Sequence, residues 1–449
     1  MFLVDDLGAT DLGSFGSTFY ETPHIDRLAA SGMRFTAAYA ACPVCSPTRA
    51  SIMTGRYPQR TGITDYINSG GGNQPQMWDR NTRLLPAQYA DRLALEERTI
   101  AEQLRDAGYA TFFAGKWHLG GKGFLPTDQG FDINKGGFNA GSPRSYFSPY
   151  QNPYLKDGPR GEDLSQRLAD ETCRFIATNA DRPFFVYLPF YAVHIPLQGR
   201  PDLIEKYEAK AAGLRNSKAA WGRERDSGVR LNQNHPVYAA MVESMDTAVG
   251  KVLEKLDELG LTENTLVVFT ADNGGLSTEE GSPTANMPLR AGKGWLYEGG
   301  IRVPTIIRWP GVTARGSRCA EPIISNDYYP TFLAAANQTS APDEPIDGLS
   351  LVPLLRGESI DDRPLFWHYP HYGNQGGRPG SAIRDGRWKL IQWHEDDAVE
   401  LYDLAADPGE MQNLAERHPD VTERLRASLA AWRRDVRAKS PTPNPHYKP

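Results

Sequence analysis

Amphipathic helical segments in this chain repeatedly lead into short runs of β-branched and aromatic residues. The clearest cases are Val237 to Gly260 before Thr265 to Thr270, and Asp163 to Asn179 before Pro183 to Pro189. Alternation of helices with such runs indicates a mostly parallel sheet, because parallel strands need a crossover connection that a helix usually provides. The sequence therefore predicts an α/β fold, with a large and mostly parallel sheet flanked by helices.

The pattern changes near residue 355. Short alternating segments follow one another from Pro364 to Leu404, and an amphipathic helix is predicted from Pro419 to Ala438. Alternation with a period of two residues is typical of half-buried antiparallel strands. We therefore expect a large α/β domain over residues 1–355 and a smaller C-terminal domain over residues 356–449, with a short antiparallel sheet and a helix. The proline-rich tail from Ser440 is expected to be mobile.

Composition and charge limit the possible partners. The 449 residues are 40% hydrophobic and 23% charged, with a formal net charge of -6. A nucleic-acid-binding protein usually carries a basic face, so we expect no nucleic acid as a partner. No run of about 18 apolar residues occurs, so no segment is predicted to span a membrane. Four cysteines are too few for a disulfide framework in a chain of this length.

The chain begins with a short strand candidate. Met1 to Val4 precedes Asp5 without the basic region, apolar core and cleavage site of a signal peptide. Because a central buried strand usually has about five or six residues, we expect the native start to lie upstream of Met1. The sequence alone therefore gives no localisation.

Polar residues follow four of the predicted strands directly. In open α/β sheets the ligand crevice lies outside the carboxyl ends of the strands, so these residues are expected to converge. Taken singly, an Asp-Asp or Asp-Asn-Gly-Gly segment more often forms a turn; the coincidence of four ends favours a site. The oxygen donors among them suit Ca²⁺ or Mg²⁺ better than zinc, and we predict a calcium-type site. These residues are Asp5 and Asp6, Lys116 and His118, His194, and Asp272 and Asn273.

The segment from Ala41 to Ala50 contains Cys42-Pro-Val-Cys45, which permits a redox or a zinc interpretation. No second Cys or His pair lies at a spacing suited to zinc. The part from Cys45 to Arg49, Cys-Ser-Pro-Thr-Arg, matches the maturation motif Cys-x-Pro-x-Arg of the sulfatases. Further segments occur in the order found in this family: Val4-Asp-Asp-Leu-Gly8, Thr22-Pro-His-Ile-Asp26, Gly115-Lys-Trp-His-Leu-Gly120, Thr270-Ala-Asp-Asn-Gly-Gly275, Tyr297-Glu-Gly-Gly-Ile-Arg-Val-Pro304 and Glu400-Leu-Tyr-Asp-Leu-Ala-Ala-Asp-Pro-Gly-Glu410.

From its first residues to about Leu414, the chain thus resembles a type I sulfatase, a formylglycine-dependent member of the alkaline phosphatase superfamily. The resemblance implies that a formylglycine-generating enzyme oxidises Cys45 to an aldehyde, which is then hydrated to a gem-diol. It also implies one Ca²⁺, which binds a diol oxygen at position 45, and an Arg49 that orients the diol. The implied metal ligands are Asp5, Asp6, Asp272, Asn273 and the modified Cys45.

The resemblance also assigns the groups around the sulfate. His194 would protonate the leaving alcohol, and His118 would accept a proton from the second diol hydroxyl. Lys293 lies in a flexible segment where a lysine is solvated by default, and only the family places it at the sulfate. Glu298 and Arg302 are expected to form a structural ion pair. The residues implied to surround the sulfate are Lys116, His118, His194 and Lys293.

The substrate prediction rests on the C-terminal domain, which closes one side of the pocket in this family. The segment from Trp367 to Gly377 is rich in aromatic, His and amide groups suited to sugars, but it fits a packed glycine-rich turn equally well. We predict His368 and His371 as substrate contacts and a sulfated carbohydrate as the substrate. The Ser or His that touches sulfate after Gly130-Phe-Asp132 in many sulfatases is not assigned; Ser142 and Ser145 are candidates.

Three alternatives remain open at this point. The same scaffold can serve a phosphonate or phosphodiester hydrolase, or a catalytically silent binder of sulfated glycans. A Cys42–Cys45 thiol oxidoreductase is the third, and it predicts an accessible, reversible disulfide. The resemblance implies a periplasmic or extracellular location, whereas the sugar, the sulfated position and the oligomeric state are not predicted.

Overall fold

The computed structural model describes residues 1–68, 70–215, 218–339 and 345–448. The strands in these ranges are β1 (Phe2–Val4), β2 (Met33–Phe35), β3 (Ala38–Tyr39), β4 (Leu84–Leu85), β5 (Ala110–Ala114), β6 (Ile133–Lys135), β7 (Phe184–Pro189), β8 (Trp221–Glu224), β9 (Ser227–Arg230), β10 (Val267–Ala271), β11 (Thr305–Arg308), β12 (Ser317–Cys319), β13 (Ile323–Ile324), β14 (Leu365–Tyr369), β15 (Gly380–Asp385), β16 (Trp388–Trp393), β17 (Val399–Asp403) and β18 (Thr442–Pro443).

An eight-stranded sheet forms the centre of the larger unit, in the order β12-β2-β11-β10-β1-β7-β5-β6. The five strands from β10 to β6 in this order are parallel to one another. At the other end, β11 runs antiparallel to both β10 and β2. The short strand β1 lies between β10 and β7, so the residues that follow it emerge in the middle of the sheet. The predicted large, mostly parallel sheet is confirmed.

Two groups of helices flank this sheet: α5, α6 and α1 pack on α7, whereas α2 and α4 pack on α9. The helix α7 buries Tyr238, Val242, Met245 and Val249 along one face, which explains the helical spacing in its sequence. Sequence and structure agree on the ends of α5 and α7 to within two residues. The α-helices are α1 (Pro23–Ser31), α2 (Cys45–Thr54), α3 (Pro58–Thr61), α4 (Ile100–Asp106), α5 (Leu164–Thr178), α6 (Pro201–Ala212), α7 (Pro236–Glu258), α8 (Glu298–Ile301), α9 (Tyr328–Ala335), α10 (Val352–Leu355) and α11 (Pro419–Asp435).

The C-terminal part forms the predicted small antiparallel sheet, in the order β14-β15-β16-β17, with α11 packed against β14, β15 and β16. Its hydrophobic core is shared with the larger unit. Trp367 and Trp393 of the small sheet belong to the same buried cluster as Cys42, Val44 and Trp295. The segment just before Cys45 is therefore packed between the two parts of the chain.

A buried ionic network also joins the two parts. Lys389 on β16 has its Nζ atom 3.0 Å from Glu298 Oε1 and 2.8 Å from Glu410 Oε1, and all three side chains are fully buried. The Tyr39 hydroxyl donates a hydrogen bond to Glu298 Oε2 at 2.7 Å. The expected ion pair between Arg302 and Glu298 occurs at 3.6 Å, as the outermost contact of this network.

The tail is more ordered than the sequence suggests. Thr442 and Pro443 form β18, which pairs with β4 at Leu84 and Leu85. Asn444 Nδ2 donates to the carbonyl oxygen of Thr82 at 2.8 Å. The expectation of a mobile tail is wrong for these residues, because they form hydrogen bonds with backbone groups of a loop far away in the sequence. Among the described residues, none of the helices combines the length and hydrophobicity needed to cross a bilayer.

Candidate active site

The four strand ends that carry polar residues meet at one edge of the sheet. Because β10, β1, β7 and β5 are adjacent and parallel, their carboxyl ends lie side by side. Asp6 N donates to Asp272 Oδ1 at 3.3 Å, and Asn273 Nδ2 donates to Asp6 Oδ1 at 2.8 Å. Lys116 Nζ lies 2.5 Å from Asp5 Oδ2. The structure thus brings together the residues that the sequence placed after separate strands.

Helix α2 carries Cys45 and Arg49 into the same edge. Cys45 is the first residue of α2, and its Sγ atom lies 3.5 Å from Asp5 Oδ1. Arg49 is four residues later, so its side chain projects from the same face one turn away. Its Nε atom donates to Asp272 Oδ2 at 2.8 Å, and its Nη1 atom donates to the Lys116 carbonyl at 2.6 Å. Arg49 therefore ties the ends of β10 and β5 to the helix that holds Cys45.

An oxygen-rich cluster lies at the centre of this edge. Ligand atoms of Asp5, Asp6, Cys45 and His194 all lie within 4.8 Å of one another. The Asn273 Oδ1 atom is buried and has no hydrogen-bond partner among the described residues. Carboxylate and amide oxygens are the ligands that hard divalent cations prefer. The donor set, including the unpartnered amide oxygen, therefore fits Ca²⁺.

Lys293 reaches this cluster from a loop. Its Nζ atom lies 2.8 Å from Asp6 Oδ2, and its side chain is buried. Two backbone bonds fix the loop, from Lys293 N to Gly275 O at 3.1 Å and from Gly294 N to Pro43 O at 2.9 Å. Lys293 and Lys116 thus place two ammonium groups beside the carboxylates, where they can bind an anion.

The sequence matches the models of two known protein families. The family model described as Sulfatase matches residues 1–338, which is more than half of the chain. The chain belongs to the sulfatase family. A second model, described as N-sulphoglucosamine sulphohydrolase, C-terminal, matches residues 291–435. The resemblance inferred from the motifs is confirmed, and the protein is a sulfuric ester hydrolase.

Relatives of this sulfatase are similar over most of their length. A sulfatase of Formosa agariphila is 32% identical, and the match covers 96% of this chain and 88% of that protein. The N-acetylgalactosamine-6-sulfatase of Canis lupus familiaris is 33% identical over 92% of this chain and 75% of its own. The crystal structure of Ps i-CgsB in complex with k-i-k-neocarrahexaose superposes with a TM-score of 0.78 at 29% identity, covering 96% of this chain and 91% of that one.

Burial and neighbouring charges separate the two central carboxyl groups of this sulfatase. Burial, followed by the charge of Asp272, raises the pKa of Asp5 to about 7. Burial also opposes ionisation of Asp6, but Lys293 and His194 outweigh it and hold its pKa below the usual range. Asp6 is therefore the more firmly ionised of the two, and it anchors the cations of the site.

The cysteines do not fit the thiol oxidoreductase alternative. Cys42 and Cys45 are free and buried, each with 2% of its surface exposed. Burial is the main cause that raises the pKa of both thiols above the usual range. A redox pair needs an accessible thiolate of lowered pKa. The structure thus contradicts the prediction that this alternative makes, and Cys42 packs as a small buried side chain.

The two histidines are each fixed by a backbone carbonyl. His118 Nε2 lies 2.8 Å from Ile67 O, and His194 Nδ1 lies 2.8 Å from Ile195 O, so these ring nitrogens carry the proton. His118 Nδ1 is buried and has no partner in the described part of the chain. Burial, then the charge of Lys116, holds the pKa of His118 well below its usual value. His118 is thus a neutral imidazole with a free acceptor nitrogen, which suits a general base.

Two predicted substrate residues are placed elsewhere. His368 is buried, with Nδ1 2.7 Å from Ser381 Oγ and Nε2 2.8 Å from Lys439 O, so neither ring nitrogen is free. His371 is fully buried, and its Nε2 atom lies 2.9 Å from Thr64 Oγ1. This geometry gives both histidines a packing role in place of the predicted substrate contact, because neither reaches a surface that a substrate can touch.

The segment after Gly130-Phe-Asp132 contributes a residue that sequence reasoning missed. A Cβ atom added at Gly141 would lie 2.6 Å from His118 Cε1, so the glycine backbone packs directly on the imidazole. Of the two serine candidates, Ser145 donates to Phe147 O at 2.7 Å, whereas Ser142 lies next to Gly141. A glycine has no functional side chain, so nothing in the sequence marked Gly141 except its position in the segment after Asp132.

Replacing Gly141 with alanine is expected to displace the His118 imidazole and lower kcat by roughly 10- to 100-fold, because displacement of a catalytic group by about 1 Å has effects of that size. Steady-state release of sulfate from an aryl sulfate measures the loss. Gly121→Ala is the matched control, since its Cβ would meet nothing closer than 3.6 Å. Equal activity of the two variants would contradict the placement of Gly141 against His118.

Proposed function

We propose that this sulfatase releases inorganic sulfate from a sulfated carbohydrate, using formylglycine at position 45 and one Ca²⁺. The observation that carries the proposal is the position of Cys45, whose Sγ atom lies 3.5 Å from Asp5 Oδ1 inside the carboxylate cluster. The same position begins the motif Cys45-Ser-Pro-Thr-Arg49, and Lys116 and Lys293 lie on either side of the cluster.

Formylglycine would supply a hydrated aldehyde, one oxygen of which attacks sulfur while the second later expels sulfate. A formylglycine-generating enzyme is the maturation partner that this requires. Residues that lie near position 45 in the structure are suited to this chemistry. Arg49 is buried and fixed by Asp272 and the Lys116 carbonyl, so its guanidinium is a preorganised positive charge beside the reacting group.

Asp5, Asp6, Asp272 and Asn273 would hold the Ca²⁺, which would supply positive charge to the oxygens of the sulfuryl group. Lys116 and Lys293 bind the same oxygens from the protein side, and they need no reorganisation because carboxylates already fix their ammonium groups. Charges that are fixed before the reaction stabilise the transition state most effectively.

The histidines divide the proton transfers. His118 accepts a proton at Nδ1, which has no hydrogen-bond partner among the described residues, while Nε2 stays bonded to Ile67 O. His194 has Nε2 3.7 Å from Asp6 Oδ2. Burial and the charge of Lys293 hold the pKa of His194 well below its usual value although Asp6 opposes them, so a proton taken up at Nε2 is readily passed to the leaving alcohol. The two roles are thus assigned to different ring nitrogens of two differently held imidazoles.

A carbohydrate substrate is supported by the relatives. One of them is an N-acetylgalactosamine-6-sulfatase, and the superposed structure contains a neocarrahexaose. The first name describes a sulfatase of a sugar, and the second describes a protein bound to an oligosaccharide. The C-terminal part of this chain packs against the loop that carries Lys293. A periplasmic or extracellular location stays a prediction, and it would give access to such glycans.

The decisive experiment is sulfate release from a panel of sulfated mono- and oligosaccharides beside an aryl sulfate. The protein is matured by a formylglycine-generating enzyme, formylglycine is verified by mass spectrometry, and Cys45→Ala is the blank. Release from one sugar class that is lost in the blank supports the proposal. Faster turnover of a phosphodiester, or glycan binding without turnover by the matured protein, would replace it with the corresponding alternative.

Calcium is expected to stabilise the protein as well as to activate it. At a concentration about 100-fold above its Kd, Ca²⁺ should add about 2.7 kcal/mol to the free energy of unfolding. Removal with a chelator should lower both Tm and sulfate release, and Ca²⁺ should restore both more fully than Zn²⁺. Asp6→Asn should reduce the Tm shift. An unchanged Tm on addition of Ca²⁺ to the chelated protein would contradict the assigned ligands.

A further inference from the structure

Gln375 borders the site from the C-terminal part of the chain. Its side chain is buried against Gly294, where an added Cβ atom would lie 2.6 Å from Gln375 Oε1. Gly294 directly follows Lys293, and its amide donates to the carbonyl of Pro43, two residues before Cys45. The amide side chain of Gln375 therefore lies next to both the sulfate-binding lysine and the segment of the nucleophile.

Glu280 is bonded to this amide. Gln375 Nε2 donates to Glu280 Oε2 at 2.8 Å. Glu280 thus lies one hydrogen bond away from the amide that packs on Gly294, the residue after Lys293. In the described residues no Lys or Arg nitrogen lies within 4.0 Å of the Glu280 carboxylate, so the charge has no partner of its own.

The backbone holds Glu280 in this place. Glu279, Glu280 and Ser282 all have positive φ angles, of 52°, 45° and 39°, a region that side chains disfavour. Ser282 N donates to Glu279 O at 2.7 Å, and Arg230 Nε donates to Ser282 O at 2.5 Å. A left-handed turn held by these two bonds therefore carries the partly exposed Glu280 carboxylate, which contacts Gln375.

Neutral polar groups lie next to Gln375 and Glu280. Asn374, which precedes Gln375, is exposed and donates from Nδ2 to the Tyr66 hydroxyl at 2.8 Å. Tyr66 directly precedes Ile67, whose backbone carbonyl oxygen lies 2.8 Å from His118 Nε2. A hydroxyl, two amides and an unpaired carboxylate are groups that bind a polyhydroxylated ligand through hydrogen bonds.

We propose that Glu280 is a specificity-determining residue: its carboxylate accepts hydrogen bonds from sugar hydroxyls beside the scissile sulfate ester and repels a second anionic substituent there. The inference rests on the proposed carbohydrate substrate. A free carboxylate beside an anion-binding site weakens binding of the sulfate. Hydroxyl groups of the ligand offset this loss when they donate hydrogen bonds to the carboxylate. The preferred substrate is therefore a sugar with one sulfate ester and a free hydroxyl next to it.

The test compares Glu280→Gln with Glu279→Gln, its exposed neighbour in the same turn. Glutamine at position 280 can still accept the bond from Gln375, so the change removes mainly the charge. For a monosulfated sugar, E280Q should lower kcat/KM by roughly 10- to 100-fold, mostly through KM, because hydrogen bonds to a charged group are strong. Turnover of an aryl sulfate without hydroxyls should not fall and can rise, because the repelling charge is gone, and a disulfated sugar should become relatively better. E279Q should behave as wild type.

The outcomes separate this inference from the proposed function. Equal losses by E280Q on the sugar and the aryl sulfate would show a purely structural residue, and unchanged sugar turnover would also overturn the inference. In both cases the wild-type enzyme still hydrolyses a sugar sulfate. Wild-type turnover of the aryl sulfate but of no sugar would instead contradict the carbohydrate assignment, and the role of Glu280 with it.

Discussion

Replacement of Lys389 with methionine should lower the free energy of unfolding by roughly 3–5 kcal/mol, because it leaves buried carboxylates without their cation. The Nζ atom lies between Glu298 and Glu410, and all three side chains are fully buried. Chemical denaturation of the variant and wild type measures the difference. Lys251→Met is the matched control, because its ion pair with Asp170 is partly exposed and should contribute less than about 1 kcal/mol.

The same variant has a predicted pH dependence. Burial raises the pKa of Glu410 even with Lys389 in place, and loss of the cation raises it further. A carboxyl whose pKa is raised on folding contributes stability below its unfolded pKa, and this contribution is lost as pH rises through the folded value. The stability deficit of Lys389→Met should therefore narrow as the pH falls from about 9 to about 7, where Glu410 of the wild type itself becomes protonated. A deficit that stays constant over this range would show that the charge of the network is not its cause.

Replacement of Lys293 with methionine should lower kcat by roughly 10²- to 10³-fold, the usual effect of removing one preorganised group that stabilises transition-state charge. Lys293 Nζ is 2.8 Å from Asp6 Oδ2 and buried, so solvent cannot replace its charge. Sulfate release under saturating substrate, after formylglycine is quantified in each protein, measures the loss. Lys122→Met, at an exposed lysine, should have no effect; a loss below about fivefold for Lys293→Met would contradict its role.

The strand ends were predictable because their chemistry is local. Asp5 and Asp272 each follow a short apolar run, and the rule that parallel strands present their carboxyl ends at one edge predicts that such residues converge. The pairing of β1 with β10 realises this prediction. Cys45 was predictable for a different reason, since its motif is a run of five consecutive residues.

Lys293 and the C-terminal histidines show where sequence reasoning stops. A lysine in a glycine-rich loop is solvated unless distant backbone groups fix the loop, and here Gly275 and Pro43 do so. For His368 the composition of its segment fits a sugar site and a packed core equally. The structure decides for the packed core, because Ser381 and Lys439 contact the two ring nitrogens of His368. Neither contact can be read from the segment around His368 itself.

Because helix α2 is buried, the proposed oxidation of Cys45 and the folding of the chain would have to occur in a fixed order. All ten residues from Cys45 to Thr54 are buried, and the segment just before them is covered by the small sheet. An enzyme that oxidises Cys45, as proposed above, would need access to a side chain that the folded protein buries. The proposed oxidation would therefore precede folding, and a molecule that folds first would keep its thiol.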